Sequence, residues 1–152
     1  ANDTTINWDE RARGLGGTVE VPITTCAEEN LLCYSADPYY NEDILIHEFA
    51  HAIHLMGLQF VYPDFNDELN EAYASALNEG KWNNTYAATN MQEYWAEGVQ
   101  SGFNCNAESD PPNGIHNHVN TRAELQQYDA GLYQLLLNYF GDATIDISCH
   151  NY

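Results

Sequence analysis

The sequence predicts an α+β fold, mainly helical, with a small β-sheet near the N-terminus. Three observations predict it. Val19 and Val21 alternate with Glu20 early in the chain, in Thr18-Val19-Glu20-Val21-Pro22-Ile23. From Asn41 onward the apolar residues recur at helical spacing instead. The length of 152 residues is that of one ordinary domain, so a single unit over 1–152 is expected.

Residues 1–17 read as a polar arm through Trp8 that ends in the Gly14-Leu15-Gly16-Gly17 bend. The alternating run 18–23 and a second apolar piece, Asn30 to Tyr34, are expected to form the sheet, with Pro22 at an edge because it has no N–H to donate. Asn41 is then read as an N-cap, with Glu42 and Asp43 in the first turn and Gly57 past the end. On that helix Leu45, Phe49, Ala52, Ile53 and Met56 form one stripe, and His47 and His51 lie on the opposite side. The stripe is expected to face the core and the histidines to face open space.

A second helix is expected from about Asn66 to Asn78, with Phe65, Leu69, Ala72 and Ala76 as its stripe and Gly80 as its stop. A third runs from about Asn90 to Phe103. Asp110-Pro111-Pro112-Asn113-Gly114 is a loop. Thr121 and Glu124 form a capping box that opens a final helix, with Leu125, Tyr128, Leu132, Leu135 and Tyr139 inward and Gly141 closing it.

Composition excludes several functions. Acidic residues number 23 against 4 lysines and arginines, a formal net charge of −19, and no basic run reverses the sign locally. Such a surface repels nucleic acid and anionic membranes, so neither is expected as a partner. Cys26, Cys33, Cys105 and Cys149 contain no CxxC pair, which disfavours a thiolate zinc site and suggests two disulfides. The favoured pairing is Cys26 with Cys33 and Cys105 with Cys149. Glycosylation triplets at Asn2-Asp3-Thr4 and Asn83-Asn84-Thr85, an opening at Ala1 and no evident membrane-length apolar run fit a secreted, extracellular glycoprotein.

His47-Glu48-Phe49-Ala50-His51 carries the chemistry. On a helix the i, i+4 spacing sets both imidazoles on one face a turn apart, where two nitrogens can grip one zinc ion. Glu48, rotated by about 100° from His47, is placed beside the metal as a general base. A catalytic zinc site needs a third protein ligand and an open position. Glu93 and Glu97, on one face of the third helix together with Gln100, are the candidates, and a merely solvated acidic face is the competing reading of that stripe.

The segments Tyr86-Ala87-Ala88-Thr89-Asn90-Met91-Gln92-Glu93-Tyr94-Trp95-Ala96-Glu97 and His47-Glu48-Phe49-Ala50-His51-Ala52 resemble the catalytic domains of the anthrax lethal factor family, which are gluzincins. Arg13-Gly14-Leu15-Gly16-Gly17-Thr18 and the Tyr94-Trp95-Ala96-Glu97 run also look like small secreted zincins of fungal type. The resemblance implies a zincin-like metalloprotease fold and a zinc metalloendopeptidase. It implies that Glu93 is the third zinc ligand, that Tyr86 is the transition-state donor, and that Glu97 orients a zinc-bound imidazole by accepting a ring N–H of His47 or His51. It covers a small part of the chain, so substrate choice does not follow from it.

The expected partner is a protein or peptide substrate, held along an exposed strand near residues 18–34, and the expected state is a monomer. His54 is read as a packed, hydrogen-bonded residue, since it lies about 10 Å along the axis from His47. His116 and His118 are open to a substrate contact, a surface role or an alternative third ligand. His150 is a tail residue, and Arg122 is expected in an ion pair. A zinc-binding module without catalysis and a zinc amidase acting on a non-peptide amide are the alternative functions.

Overall fold

The computed structural model describes residues 12–145. The triplet at Asn2, Trp8, Arg11, Cys149 and His150 therefore lie outside the described residues. Within them the fold is mainly helical with one two-stranded antiparallel sheet, an α+β arrangement. Strand β1 (Gly14–Leu15) pairs with β2 (Thr25–Cys26), with Gly14 opposite Cys26 and Leu15 opposite Thr25.

The sheet is displaced from where the alternation pointed. Residues 18–23 form a turn, closed by Thr18 N–H donating to Val21 O (2.9 Å) and Ile23 N–H to the same oxygen (2.8 Å), which leaves Val19, Val21 and Ile23 exposed. Alternation alone supplies no partner, and Pro22 removes a ladder donor. The segment expected to pair with it instead holds helix α1 (Glu28–Leu31). Within α1, Asn30 is buried and ties down the following loop. Its amide donates to Asp37 Oδ2 (2.8 Å), Tyr39 O (3.1 Å) and Glu42 O (2.8 Å), and its Oδ1 accepts from Ile44 N (2.9 Å). One side chain thus fixes the entry to the next helix.

That helix, α2 (Ile44–Ile53), is capped by Asp43, whose side chain accepts from Ile46 N, two residues beyond the Asn41 expected. Gly57 does not end it. The chain continues through a π-turn (His54–Leu58) and a last turn (Gln59–Val61), held by the Gln59 amide donating to Leu55 O (2.5 Å). The continuous helix Ile44–Val61 is by length and composition apolar enough to cross a membrane, which corrects the expectation that no such run exists.

The orientation of α2 also differs from expectation, although Ala52 of the expected stripe is buried. His47, Ala50, His51 and His54 are buried, whereas Phe49 is 55% exposed and Met56 36% exposed. The histidine side faces inward because it packs on helix α4 (Met91–Gly102). There Ala50, the smallest residue of the face, accepts a hydrogen bond on its carbonyl from Trp95 Nε1 (3.1 Å).

α3 (Phe65–Asn78) buries Phe65, Leu69 and Ala76, the expected stripe, and Gly80 follows at φ +75°, a conformation glycine adopts without strain. α4 is the centre of the fold, buried continuously from Tyr94 to Gly102. Gly98 and Gly102 let the last helix approach closely: a Cβ on Gly98 would lie 2.4 Å from Leu132 Cδ2, and one on Gly102 2.2 Å from Leu136 Cδ2. The core around it contains Trp82, Tyr94, Trp95, Leu125 and Leu132, each large enough to contribute roughly 2–3 kcal/mol by burial.

The capping box at Thr121 and Glu124 opens α5 (Arg122–Tyr128), but the final helix is broken, and α6 (Ala130–Phe140) starts anew. Asp129 causes the break. It is buried, caps α6 through Leu132 N (3.1 Å), and accepts from Trp82 Nε1 (2.8 Å) and Tyr94 OH (2.7 Å). These partners satisfy a carboxylate that burial would otherwise penalise. Arg122, expected in an ion pair, instead donates to Gly102 O and Ala143 O, both at 2.7 Å. It thereby satisfies a terminal carbonyl of α4.

The expected disulfide pairing is not formed. Cys26 and Cys105 are free thiols, while Cys33 is disulfide-bonded. Cys105 is a core residue whose thiol donates to Gln100 O (3.3 Å) at the end of α4, and Cys26 is committed to the sheet.

Candidate metal centre

The i, i+4 spacing on α2 brings the two imidazoles together, and α4 supplies a carboxylate from across the interface. His47 Nε2 lies 3.2 Å from His51 Nε2 and 3.1 Å from Glu93 Oε2, and His51 Nε2 lies 3.2 Å from the same oxygen. Three donor atoms thus form a nearly equilateral triangle. Donors bound to one tetrahedral zinc at about 2.0–2.1 Å stand about 3.4 Å from one another, so this set fits such an ion with little movement. Among the described residues this is the group of histidine and acidic side chains close enough to share a metal.

Electrostatics agree with the geometry. Burial alone would pull the His47 pKa down, but the Glu93 and Gln100 hydrogen bonds and the Glu97 and Glu48 charges outweigh it and lift it to about 9. Burial would raise Glu93, yet the two histidines hold its carboxyl at about 2. The carboxylates around the triangle therefore favour positive charge at this point.

Glu48 follows His47 and turns toward the cleft. Burial raises its pKa, as does the Glu93 charge, against the opposing pull of His47, His51 and the Gly16 backbone hydrogen bond. Strand β1 and the residues after it lie directly on this part of α2. A Cβ on Gly14 would come within 2.5 Å of Glu48 Cγ, and one on Gly16 within 2.5 Å of His51 Cβ. Glycine is required there by close approach of backbone to helix. The resulting cleft of about 580 Å³ is lined by Gly14, Leu15, His47, Glu48, Tyr86 and Glu93, among others.

Tyr86 opens a 3₁₀ turn (Tyr86–Ala88) whose position is fixed by Tyr86 N–H donating to Ile115 O (2.8 Å). Its ring stacks beside His47 with centroids 6.3 Å apart, and it remains 41% exposed at the rim. Burial and the Glu93 and Glu48 charges raise its pKa, keeping the phenol protonated as a donor.

Behind the His47, His51 and Glu93 triangle, the nearest acceptor to His47 Nδ1 is Gln100 Oε1 at 2.8 Å, and Glu97 Oε1 stands farther off at 3.5 Å. Glu97 is held by Asn106 (2.9 Å) and faces His116 (3.8 Å). His116 lies in turn 3.6 Å from Glu42, so it joins the acidic support of the site rather than the ligand triangle. His118 packs edge-on against Tyr128 instead. His54 is fully buried and donates from Nε2 to Asn66 Oδ1 (2.8 Å), a structural contact as expected. Gln100, Asn106 and Gly16 went unassigned in the sequence reading. Gln100 lies on the same face of α4 as Glu93 and Glu97, which is the one sequence feature that points to it.

No family model matches the chain, and no curated protein or solved structure matches it. The functional reading therefore stands on the centre itself.

Proposed function

We propose that this chain is a secreted zinc metallopeptidase of gluzincin type with a zincin-like fold. The observation that carries the proposal is the triangle of His47 Nε2, His51 Nε2 and Glu93 Oε2, with edges of 3.1 to 3.2 Å, beside a glutamate that is not part of it. A zinc ion held there supplies a bound water of lowered pKa and a Lewis acid for the scissile carbonyl.

The remaining steps belong to side chains of this protein. Glu48 takes the proton of the attacking water on a carboxylate oxygen, a task suited to a carboxyl whose pKa burial has raised. It then delivers that proton to the leaving amine nitrogen. The Tyr86 hydroxyl donates to the oxyanion that develops on the carbonyl oxygen. Among the described residues β1 pairs on one side only, with β2, and it lines the cleft. Its free edge is where an extended peptide would add as a strand. The substrate-binding strand is thus proposed at Gly14–Leu15 rather than near residues 18–34. The substrate is a polypeptide, nucleic acid and membranes being disfavoured by the −19 charge, and the protein acts as a monomer.

Digestion of casein by the purified, zinc-supplied protein tests this reading. Hydrolysis that chelator abolishes and zinc restores supports it, and metal-replete protein with no hydrolysis of any polypeptide contradicts it.

A further inference from the structure

Gln100 is wholly buried, and its side chain touches two groups of opposite demands. Its Nε2 donates to Asp43 O at 3.0 Å, and its Oε1 lies 2.8 Å from His47 Nδ1. A backbone carbonyl can only accept, so the NH₂ end must face Asp43. A flipped amide would oppose two acceptors in a dry interior, with no solvent to relieve them. The oxygen therefore faces His47, and the partner it requires is an N–H.

We propose that Gln100 is a positioning residue that holds His47 in the tautomer with its proton on Nδ1 and so leaves the Nε2 lone pair free for the metal. Asp43 is the N-cap of α2, and its carbonyl also accepts from His47 N (3.3 Å). Gln100 on α4 thus clamps the start of the metal-binding helix and the ring of its first ligand with a single amide. Such outer partners of a ligating imidazole fix its orientation and raise its basicity. Glu97, at 3.5 Å from the same nitrogen and already engaged by Asn106, contributes its charge, while Gln100 makes the short hydrogen bond. The consequence for metal affinity rests on the metallopeptidase reading, whereas the tautomer does not.

Two measurements test this, with zinc itself as the probe. Zinc affinity, from competition with a chelating dye, is expected to weaken roughly 10–100-fold in Gln100→Leu and to fall less in Gln100→Glu, which keeps the acceptor toward His47 but sets a second oxygen against Asp43 O. Imidazole ¹H–¹⁵N correlation spectra of the zinc-loaded proteins are expected to show a slowly exchanging His47 Nδ1–H in wild type and Gln100→Glu, lost in Gln100→Leu. Unchanged affinity and an unchanged Nδ1–H in Gln100→Leu would overturn the proposal. If Gln100→Leu does not fold, the zinc-loaded wild type decides: zinc bound through His47 Nε2 with the ring proton on Nδ1 is required, and zinc bound through Nδ1 contradicts the assignment. Wild type that binds no zinc yet shows the Nδ1–H would sink the metallopeptidase reading and leave this one standing.

Discussion

His47 Nε2 and Glu93 Oε2 stand 3.1 Å apart although 46 residues separate them in sequence. The contact exists because α2 turns its histidine face onto α4, and the proposed roles of ligand and base can be tested separately. His47→Ala removes a ligand and should lose the metal, as elemental analysis of the dialysed protein would show. Glu48→Gln leaves all three donors in place, so zinc should remain at one equivalent while hydrolysis falls by about 10²–10⁴-fold or more. Normal turnover by Glu48→Gln would remove Glu48 from its role.

Gly16 lies so close to His51 that a methyl group has no room, its Cβ falling 2.5 Å from His51 Cβ and 3.1 Å from Glu48 O. Gly16→Ala should push the β1 edge away from α2. Its expected effects are a loss of about 1–3 kcal/mol in urea unfolding and a raised KM for peptide substrates. Unchanged KM and stability would mean that β1 does not pack as described.

A second tight contact tests the core in isolation from the metal. Gly98→Ala would place a methyl 2.4 Å from Leu132 Cδ2, at a cost of about 1–3 kcal/mol. Because the clash is with the end of a side chain, adding Leu132→Val should recover part of the loss. Purely additive losses in the double variant would point to another cause.

His116 faces Glu42 at 3.6 Å and Glu97 at 3.8 Å. Burial would lower its pKa, but the Glu42 hydrogen bond and charge, with Glu97, outweigh that and raise it above 6.5. For a histidine raised on folding, the added stability is fully present below the unfolded pKa of about 6.5 and is lost as pH rises through the folded value. Wild type should therefore exceed Glu42→Gln in stability by more at pH 6 than at pH 9, as parallel denaturant titrations would measure. An equal gap at both values would show that the pair is not charged in the fold.

What could be read from the sequence follows the range of each interaction. The His47-Glu48-Phe49-Ala50-His51 geometry is local, because helical spacing alone brings the imidazoles together, and the cap at Thr121 and Glu124 is local too. Glu93 was distinguishable from Glu97 only through the resemblance, since which carboxylate reaches the histidines depends on how α4 packs. The face of α2 was misjudged for a physical reason. Polarity assigns histidine to the surface, yet His47 and His51 form a polar cluster with Glu93 between α2 and α4, which leaves Phe49 and Met56 outward. The expected strand at 18–23 failed because alternation says nothing of a partner, and the break at Asp129 was invisible because its causes, Trp82 and Tyr94, are distant in sequence.

The central claim is that two imidazoles from α2 and one carboxylate from α4 converge on a single ion. A crystal of zinc-supplied protein, measured on both sides of the zinc absorption edge, tests it most directly. The account predicts one anomalous peak at full occupancy, about 2.0–2.2 Å from His47 Nε2, His51 Nε2 and a Glu93 carboxylate oxygen. A peak that excludes Glu93, or no peak between these helices, would contradict it.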